Sequence, residues 1–569
     1  MVTASLFDLG HRVPTTAVMG EPPESAGASL HQMVERVGDN ELGLCIGQRV
    51  HVAGNRRRIG TVRYIGQVEG HAGEWVGVDW DDGDGKHDGR VNGVRYFRAT
   101  NEQSASFVRL KNLSGGISLL EALYLRYRGE STKQEEDEMY VFSSSKRRVS
   151  IQLVGKSKIE EKLKHFEDLN SASMPYLGVG SVNPSQEIRN VVPNLKELDL
   201  TGNLLSSWQD INSLCEALPS LEILNLTNNV LEADIPELPS FSNIRILVLN
   251  NCGVTWKQVE RLGLYLQAVE ELHLMGNKMT LLLPSELDIT NIEGFNSLRL
   301  LNLENNCICS WEEVLKIAKL RRLEQLHLNK NKLTHIFYPT SLSLPGLQDK
   351  CYVPFEKLEC LLLGSNQIDD LASVDSLNSF PNLVDIRLSE NPIADTTKGG
   401  VSRFVLVARL AKVKILNGSE ISLRERKESE IRYVRLVMAM MQSADPQEIK
   451  LQHPRFAELK PLYEIDDEKP SAGVSVPQKM SAGLISITLM CVGASMGERQ
   501  PLAKKLPPST TVGRLKVLCE SFFKLKGVKL RLFLQEKDSP LPTLLDDDTI
   551  PLMNVGAGNE ATVLVDEEN

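Results

Sequence analysis

Excess positive charge and long apolar runs are both missing from this sequence of 569 residues. Lys and Arg number 64 against 74 Asp and Glu, which gives a formal net charge of −10 at pH 7. This balance argues against a general nucleic-acid binder, because the phosphate backbone favours a basic protein surface. No apolar run reaches the ~18 residues that a membrane helix needs. We therefore expect neither nucleic acid nor a membrane as a partner.

Paired cysteine spacings are also absent. The nine cysteines are scattered, and the closest two, Cys307 and Cys309, lie where a repeat requires small apolar residues. This distribution predicts reduced structural thiols in a cytoplasmic protein rather than disulfides. It also provides no zinc-ligand spacing, so we expect no metal.

Motifs for catalysis are missing as well. A phosphate-binding loop would need Gly where Trp80 stands ahead of Lys86, and Gly178-Val179-Gly180 is followed by Asn183 where a dinucleotide fingerprint needs Gly. There is no H-E-x-x-H, and no Cys and His arrangement matches a thiol protease. We expect a non-enzyme with no catalytic residues and no cofactor.

The length suggests three or four domains. Composition shifts predict their order. The expected divisions are a disordered tail over 1–40, a small β domain over 41–112, a linker and helical cap over 113–170, a repeat solenoid with a C-terminal helical cap over 171–463, a flexible linker over 464–483 and a last domain over 484–569.

The first domain carries a Gly-Lys-His-Asp-Gly motif at residues 85–89. Glycines let a backbone approach a ligand closely, and Lys86 offers a cation to an anionic group. Aromatic side chains nearby predict a groove with exposed backbone N–H groups, suited to a peptide that ends in a free carboxylate. The segment Glu41–Lys111 holds 11 Lys or Arg against 9 Asp or Glu, unlike the acidic chain as a whole. The predicted site residues are Trp75, Trp80, Gly85, Lys86, His87, Asp88, Gly89, Arg95 and Phe97.

The order of Trp75-Val76-Gly77-Val78, the Gly-Lys-His-Asp-Gly motif, Arg95-Tyr96-Phe97 and Ser106-Phe107-Val108-Arg109 resembles a CAP-Gly domain. The resemblance implies a site for acidic tails that end in an aromatic residue, such as the C-terminus of α-tubulin. In that family the Lys and the next residue meet the tail. His87 stands where most CAP-Gly domains have Asn, which predicts a different contact or pH response.

The middle of the chain repeats the pattern L-x-x-L-x-L-x-x-N-x-L eight times, which predicts a leucine-rich-repeat solenoid. The Asn of each copy, or Cys252 in its place, should bond backbone groups between repeats. The eight positions are Asn203, Asn229, Cys252, Asn277, Asn306, Asn331, Asn366 and Asn391.

Three Trp at matching places mark helix starts on the convex side. Ser207, Thr255 and Ser310 precede them. Gln258 and Glu313 follow Thr255 and Ser310 by three residues, which predicts capping boxes, and Asp210 makes the first copy a near match. We expect the Trp to pack between repeats. Insertions at 280–296 and 334–356 are as consistent with a functional loop as with a passive one. Helices over 403–416 and 422–441 should close the array.

The concave strands should form a second binding surface. Its x positions are mixed polar and apolar, and Arg387 is the one basic residue among them, so the surface suits a folded partner rather than an acidic tail. The predicted residues are Glu197, Asp199, Asn225, Asn250, His273, Asn302, His327 and Arg387.

The last domain has a β-β-α-β-…-β pattern and resembles a ubiquitin-like domain. It ends in Asp566-Glu567-Glu568-Asn569 without Gly-Gly, so we do not expect it to be a conjugatable modifier. The fold prediction is therefore multidomain: a small β CAP-Gly domain, an α/β leucine-rich-repeat solenoid and a β-grasp ubiquitin-like domain.

This domain order resembles the tubulin-folding cofactor E family. The resemblance implies a cytoplasmic, cytoskeleton-associated chaperone that binds α-tubulin and promotes assembly or dissociation of the α/β-tubulin heterodimer with cofactors B, C and D. It leaves the partner of the ubiquitin-like domain open between a cofactor and the proteasome. The alternative is a microtubule-associated CAP-Gly adaptor, although such adaptors dimerise through long heptad runs that are not visible here. A CAP-Gly-bearing deubiquitinase and a ubiquitin-pathway shuttle are further alternatives.

Overall fold

The structure is a computed structural model that describes most of the chain. The described residues are 43–127, 140–142, 148–150, 165–282, 294–339, 353–442, 445–465, 484–493, 499–507, 509–525, 529–535, 542–545, 548, 550–552, 555 and 561–567. The predicted tail over 1–40, most of the predicted linker over 464–483 and most of the two repeat insertions lie outside these residues. So do residues 128–139, 143–147 and 151–164 of the predicted linker and helical cap over 113–170.

The first domain is built on a five-stranded antiparallel sheet. Its long strands β2 and β3 pair across a tight turn, and their inward residues form a small core around Val62, Val78 and Trp80. The sheet order is β6-β3-β2-β1-β7, with β4 and β5 as a separate hairpin. The strands are β1 (Arg49–Val52), β2 (Asn55–Val68), β3 (His71–Trp80), β4 (Arg90–Val91), β5 (Val94–Arg95), β6 (Ala105–Val108) and β7 (Leu113–Ser114), and a 3-10 turn spans Leu110–Asn112.

The solenoid is one sheet of 11 short strands, parallel except for the last pair. Its apolar side is buried because no single strand can cover its own leucines, and stacking makes one continuous core. All eight predicted repeat strands are present. In chain order the strands are Ser171–Ser173, Glu197–Asp199, Ile223–Asn225, Ile246–Val248, Glu271–His273, Leu300–Asn302, Gln325–His327, Cys360–Leu362, Asp385–Arg387, Ile415–Leu416 and Ser419–Glu420.

A ladder of buried Asn side chains joins the repeats, as predicted. The Nδ2 of Asn306 donates to the carbonyls of Leu303 in its own repeat and Leu274 in the preceding one, at 3.0 and 3.1 Å. Its Oδ1 accepts the N–H of Met279. Cys252 substitutes in this ladder by directing its Sγ at the carbonyl of Leu226. These bonds satisfy backbone groups that the turns would otherwise leave buried and unpaired.

Helices and 3-10 turns cover the convex side. The helices of the array are Ser185–Val191, Trp208–Ala217, Trp256–Gly263, Trp311–Lys316 and Leu371–Ser376, preceded by Leu119–Tyr127. The 3-10 turns are Phe166–Asp168, Pro239–Asn243, Ile317–Lys319, Leu377–Ser379, Pro392–Ala394 and Thr396–Lys398. The three Trp are buried, and the indole N–H groups of Trp208 and Trp311 donate to carbonyls of the following repeat, which confirms their packing role.

The capping-box prediction is correct at one of its three places. Thr255 and Gln258 form the reciprocal pair. Ser207 and Ser310 instead accept from the second helical N–H, those of Gln209 and Glu312. Glu313 cannot complete the box at Ser310 because its carboxylate accepts from the backbone of Leu282 and from Lys316.

The C-terminal cap has more elements than the sequence pattern indicated. The helix predicted over 403–416 ends at Arg409, and Ile415–Leu416 is a strand that continues the solenoid sheet. The second predicted helix is confirmed as Leu423–Met440. Two further helices, Pro446–Gln452 and Phe456–Leu462, pack with it into a separate apolar cluster around Tyr433.

The last domain has the predicted β-β-α-β-…-β order. Its strands are Ile485–Cys491, Leu502–Leu506, Leu530–Gln535, Thr543–Leu545 and Ala561–Glu567, and its helix is Val512–Phe523. The first and last strands pair in parallel at the centre of the sheet. The helix buries Leu515 and Cys519 against this sheet, the arrangement of a β-grasp fold.

Candidate functional site: an aromatic patch and a concave sheet

Register across the first sheet places three residues in one row. Gly77 on β3 pairs with Tyr64 on β2 and with Phe107 on β6. A Cβ on Gly77 would lie 2.3 Å from the ring of Phe97, so the glycine leaves the space into which that ring packs. The missing side chain therefore allows aromatic residues from four segments to meet on one face of the sheet.

We call this cluster the aromatic patch: Tyr64, His87, Tyr96, Phe97 and Phe107. Phe107 is its centre, with ring-centroid distances of 5.8 Å to Tyr64, 5.4 Å to Tyr96, 5.6 Å to Phe97 and 5.2 Å to His87. Phe97 is buried, whereas the other four are half-buried. The contacts with Tyr64, Tyr96 and Phe97 are edge-to-face, and the one with His87 is tilted. This packing holds the rings in place, so the patch is preformed.

Side chains alternate between the two faces of β3, and this alternation places the two predicted tryptophans on opposite sides of the sheet. Trp80 has the parity of Val76 and Val78 and lies with them in the core, where it is 3% exposed. Its predicted place in the groove wall is therefore wrong. Trp75 has the parity of Gly77 and is half-buried on the patch face, with the guanidinium of Arg109 3.7 Å from its ring centroid.

The Gly-Lys-His-Asp-Gly loop is attached to the edge of β6. The N–H groups of Gly85, Lys86 and His87 donate to the carbonyls of Gln103 or Ala105. The prediction that these N–H groups are exposed is therefore wrong. A Cβ on Gly85 would lie 2.5 Å from the backbone of Ala105, so this glycine serves contact with β6 rather than with a ligand.

His87 presents a defined tautomer. Its Nδ1 lies 3.0 Å from the N–H of Gly89, and because a backbone N–H can only donate, Nδ1 accepts. The neutral ring therefore carries its proton on Nε2. Burial lowers the pKa of His87, Lys86 lowers it further, and Asp88 partly opposes both. At neutral pH His87 is an uncharged donor next to Lys86.

Asp88 and Arg95 bond to each other. Their carboxylate and guanidinium are 2.7 Å apart, and Arg95 also donates to the carbonyls of Asp88 and Phe97. The hydrogen bond from Arg95 holds the pKa of Asp88 below its usual value. Gly89, with φ +95°, is buried under Phe97. Lys86 remains exposed, so the motif uses Asp88, Gly89 and Arg95 for its shape and leaves Lys86 as the accessible cation.

Sequence reasoning missed Tyr64 and Phe107 as members of the site. Both lie in strands whose alternation is visible in the sequence. Their meeting depends on the register that aligns them with Gly77, and on a bulge in β2 between Val62 and Tyr64. A Gly flanked by apolar strand residues was the available signal, since it marks a close approach of other groups.

The concave face of the solenoid is built as predicted from the first and third residues of each strand. In-register pairing brings Asp199, Asn225 and Val248 into one row, which continues through His273, Asn302 and His327. Glu197 and Arg387 are exposed, and the other predicted face residues, including Asn250, are half-buried. Arg387 is held by Ser389 at 3.0 Å. Among the charged side chains of these strands, Glu197, Asp199, Glu271 and Asp385 outnumber Arg387.

Asn302 lies between the two concave histidines. Its Nδ2 is 3.5 Å from Nδ1 of His273, whose other nitrogen lies 3.4 Å from the Glu271 carboxylate. Burial, helped by the charge of His273, lowers the pKa of His327. Protonation of His327 is therefore disfavoured at neutral pH, which makes it a polar contact residue rather than a cation.

Among the described residues, no group of three or more His, Cys, Asp or Glu side chains is arranged to hold a metal ion. In the same part of the chain, no helix is long and apolar enough to cross a membrane.

The chain is similar to known proteins along nearly its whole length. A CAP-Gly domain family model matches residues 46–113, and a leucine-rich repeat family model matches residues 308–436. Tubulin-folding cofactor E of Arabidopsis thaliana is 59% identical over 92% of this chain and 98% of that protein. Tubulin-specific chaperone E of Danio rerio is 33% identical over 92% of this chain and 99% of that protein. The solution structure of the C-terminal ubiquitin-like domain of mouse tubulin-specific chaperone E is 28% identical, covers 17% of this chain and 95% of that one, and has a TM-score of 0.14.

Proposed function

This chain belongs to the tubulin-folding cofactor E family, and we propose that it binds α-tubulin at two places and promotes assembly or dissociation of the α/β heterodimer. Its relatives are named as tubulin-specific chaperones, and the CAP-Gly and repeat domains match along the chain. The single observation that carries the two-site proposal is the difference in charge between the aromatic patch with Lys86 and the acidic concave face.

The aromatic patch is the proposed site for the acidic C-terminal tail of α-tubulin. Lys86 supplies an exposed cation, and Nε2–H of His87 supplies a neutral donor beside it. Both can bind a carboxylate, Lys86 through a charge-assisted bond. Tyr96 and Phe107 would contact an aromatic terminal residue. Trp75, Gly85, Asp88, Gly89, Arg95 and Phe97 keep the surface in shape, and Trp80 contributes through the core.

The concave face is the proposed site for the folded body of α-tubulin. It repels an acidic tail, because Glu197, Asp199, Glu271 and Asp385 outnumber its basic side chains. Its mixture of polar and apolar side chains, including Ile223, suits contact with a large folded surface rather than with an extended peptide. The proposed face keeps the eight residues predicted from the strand pattern.

The remaining proposals concern partners and location. The ubiquitin-like domain over 484–569 reaches a third surface through the linker over 464–483, and its partner is a tubulin cofactor or the proteasome. Tubulin cofactors B, C and D are the proposed partners in this function. The proposed location is the cytoplasm in association with the cytoskeleton, and no covalent chemistry is assigned to the chain.

Sedimentation with soluble tubulin tests this function. The purified protein is mixed with tubulin heterodimer, with and without the C-terminal tails removed by proteolysis. A complex containing α-tubulin, or loss of the heterodimer peak, supports the proposal, and removal of the tails should weaken either effect. Pelleting with microtubules while the heterodimer stays intact would instead support the CAP-Gly adaptor alternative.

A further inference from the structure

A two-residue connection joins the CAP-Gly sheet to the solenoid. Strand β7 pairs with β1 and ends at Ser114, and after Gly115 and Gly116 the chain enters the short strand Ile117–Ser118. That strand pairs in parallel with Val179–Ser181. The helix Leu119–Tyr127, which follows at once, buries its apolar side in the solenoid core. The two domains therefore meet without a spacer.

Glycines on both sides make this junction tight. A Cβ on Gly116 would lie 2.3 Å from the carbonyl oxygen of Gly178, and one on Gly180 would lie 2.4 Å from that of Gly115. A Cβ on Gly178 would also lie 2.9 Å from Nε2 of His51, a CAP-Gly residue. Backbone contact this close leaves no room for a side chain.

The solenoid side of the junction is fixed to the Asn ladder. The N–H of Val179 donates to Oδ1 of Asn203 at 2.8 Å, and the carbonyl of Val179 accepts from the N–H of Leu204. Asn203 itself is fully buried. The strand that receives the CAP-Gly domain is thus part of the first repeat rather than a loose extension of it.

A side-chain contact spans the two domains beside this backbone junction. The guanidinium of Arg57, on the CAP-Gly strand β2, lies 5.0 Å from the ring centroid of Tyr176. The hydroxyl of Tyr176 accepts from Nδ2 of Asn228 at 3.0 Å. Tyr176 has φ +56°, and its ring fills the space above Gly202. Tyr176 is therefore held from the solenoid side and offers its face to Arg57.

We propose that Arg57 and Tyr176 are positioning residues that hold the CAP-Gly domain at a fixed place on the first repeat, so that the tail site and the concave face form one bipartite surface. This inference rests on the proposed function. Two linked sites give a high effective concentration when the linkage matches the spacing of their targets, and that gain falls when the linkage loosens. A fixed junction would favour one arrangement of tail and body on the tubulin subunit.

The test separates tail binding from binding of the whole heterodimer. In the full-length chain, Arg57→Ala and Tyr176→Asn are compared with Arg56→Ala, which removes the same charge from the neighbouring exposed position of the same strand. Asn replaces Tyr176 because it tolerates positive φ. We expect both junction variants to bind tubulin heterodimer about twofold to fivefold more weakly while their affinity for an α-tubulin tail peptide is unchanged. Arg56→Ala should match the wild type in both assays.

Hydrogen exchange of the free protein gives a second measurement that does not involve tubulin. Amides of residues 49–58 and 174–181 should exchange faster in the junction variants and not in Arg56→Ala. Equal heterodimer affinity for all variants, or unchanged exchange at the junction, would overturn the inference. If the wild type binds the tail peptide and not the heterodimer, the bipartite surface and the two-site function both fail. If exchange changes as expected while heterodimer affinity does not, the junction is structural and the inference fails alone.

Discussion

Nδ1 of His87 accepts a hydrogen bond from the N–H of Gly89, two residues further along the same loop, at 3.0 Å. This contact decides what the motif can offer a ligand. With Nδ1 occupied, the neutral imidazole presents Nε2–H, as a fixed donor beside the ammonium of Lys86. The unusual residue of the motif therefore still supplies a donor where an Asn amide would stand, with a ring that also contacts Phe107.

The pH dependence of the loop should have opposite signs for binding and for stability. The pKa of His87 is lowered, chiefly by burial, so the folded domain favours the neutral ring. The unfolded chain then takes up the proton first, and stability of the CAP-Gly domain should fall as pH drops through about 6.5. Protonation also adds positive charge facing an acidic tail, so tail affinity should rise about twofold to fivefold between pH 7 and 5.5.

His87→Asn provides the comparison for this pH effect. Tail-peptide titrations at pH 8, 7, 6 and 5.5, with the peptide's own titration subtracted, should give a flat profile in the variant. In urea unfolding at the same pH values, the free energy of unfolding of the variant should lack the decrease at low pH that protonation of His87 causes. A wild-type affinity that falls on acidification, or an identical profile in both proteins, would refute the assignment.

Lys86→Met should weaken tail binding and leave the fold intact. The Lys86 side chain is exposed, whereas its backbone bond to Ala105 does not depend on the side chain. A bond between a cation and a carboxylate contributes about 1–2 kcal/mol, so affinity should fall roughly fivefold to thirtyfold. Lys111→Met, an exposed Lys of the same domain, is the matched control, and isothermal titration with a tail peptide is the measurement. Equal losses in the two variants would mean that net charge, rather than Lys86, drives binding.

The sequence identified the repeats well because their information is local. Each copy carries its own leucines and Asn, and nearest-neighbour stacking fixes the rest. The prediction that a helix extends to Leu416 was wrong because a contact distant in sequence determines where that helix ends. Its apolar spacing continues past Arg409, but Ile415 and Leu416 gain more by pairing with the strand Asp385–Arg387. Tertiary contacts decided an ending that propensity left open.

The aromatic patch was harder to predict because its members come from distant segments. Motif matching found Lys86 and His87 but assigned the loop's glycines and N–H groups to a ligand. Instead, Gly85 and the N–H groups contact β6 and the segment before it, and Gly89 packs against Phe97. The alternation of side chains along β3 would have predicted different faces for Trp75 and Trp80, since Trp80 shares the buried face with Val76 and Val78. Phe107 could not be assigned to the patch without the register of β6 against β3.

Gly77→Ala should destabilise the CAP-Gly domain and disorder the aromatic patch. Its added methyl would lie 2.3 Å from the ring of Phe97 and 3.0 Å from Cβ of Tyr64. Overpacking of this kind typically costs about 1–3 kcal/mol. The melting temperature and the affinity for the tail peptide should therefore both fall. Gly93→Asn is the control, because a Cβ there meets nothing within 4 Å and Asn accepts the positive φ. An unchanged melting temperature for Gly77→Ala would show that the patch is not close-packed.

The Asn ladder predicts an order of stability losses. Asn331 uses its whole amide, since Nδ2 donates to the carbonyls of Leu303 and Leu328 and Oδ1 accepts from Ile308. In Asn229 the Nδ2 is also bonded, but Oδ1 is buried without a hydrogen-bond partner. Asn331→Ala should therefore cost about 1 kcal/mol more than Asn229→Ala, the value of one further hydrogen bond. Urea unfolding of both variants tests this, and the reverse order would contradict the bonding described.

A buried polar network should make the C-terminal cap sensitive to acid. Arg409 is 1% exposed and reaches the carboxylate of Asp375, the hydroxyl of Tyr433 and Nδ1 of His453. Burial, with the charge of Arg409 as a second cause, lowers the pKa of His453 to about 4. Since the unfolded chain protonates near 6.5, stability from this group is complete above that pH and is lost as pH falls towards 4.

Arg409→Met tests both the network and the pH effect. It leaves Asp375 without its partner, and breaking a buried ion pair in this way typically costs about 3–5 kcal/mol. The pKa of His453 should rise towards its ordinary value, so the loss of stability between pH 7 and 5 should be smaller in the variant than in the wild type. Lys412→Met, at an exposed position three residues away, controls for loss of charge. Urea unfolding at the two pH values distinguishes the outcomes. A variant that is less stable at pH 7 but loses as much stability by pH 5 as the wild type would show that Arg409 does not lower the pKa of His453.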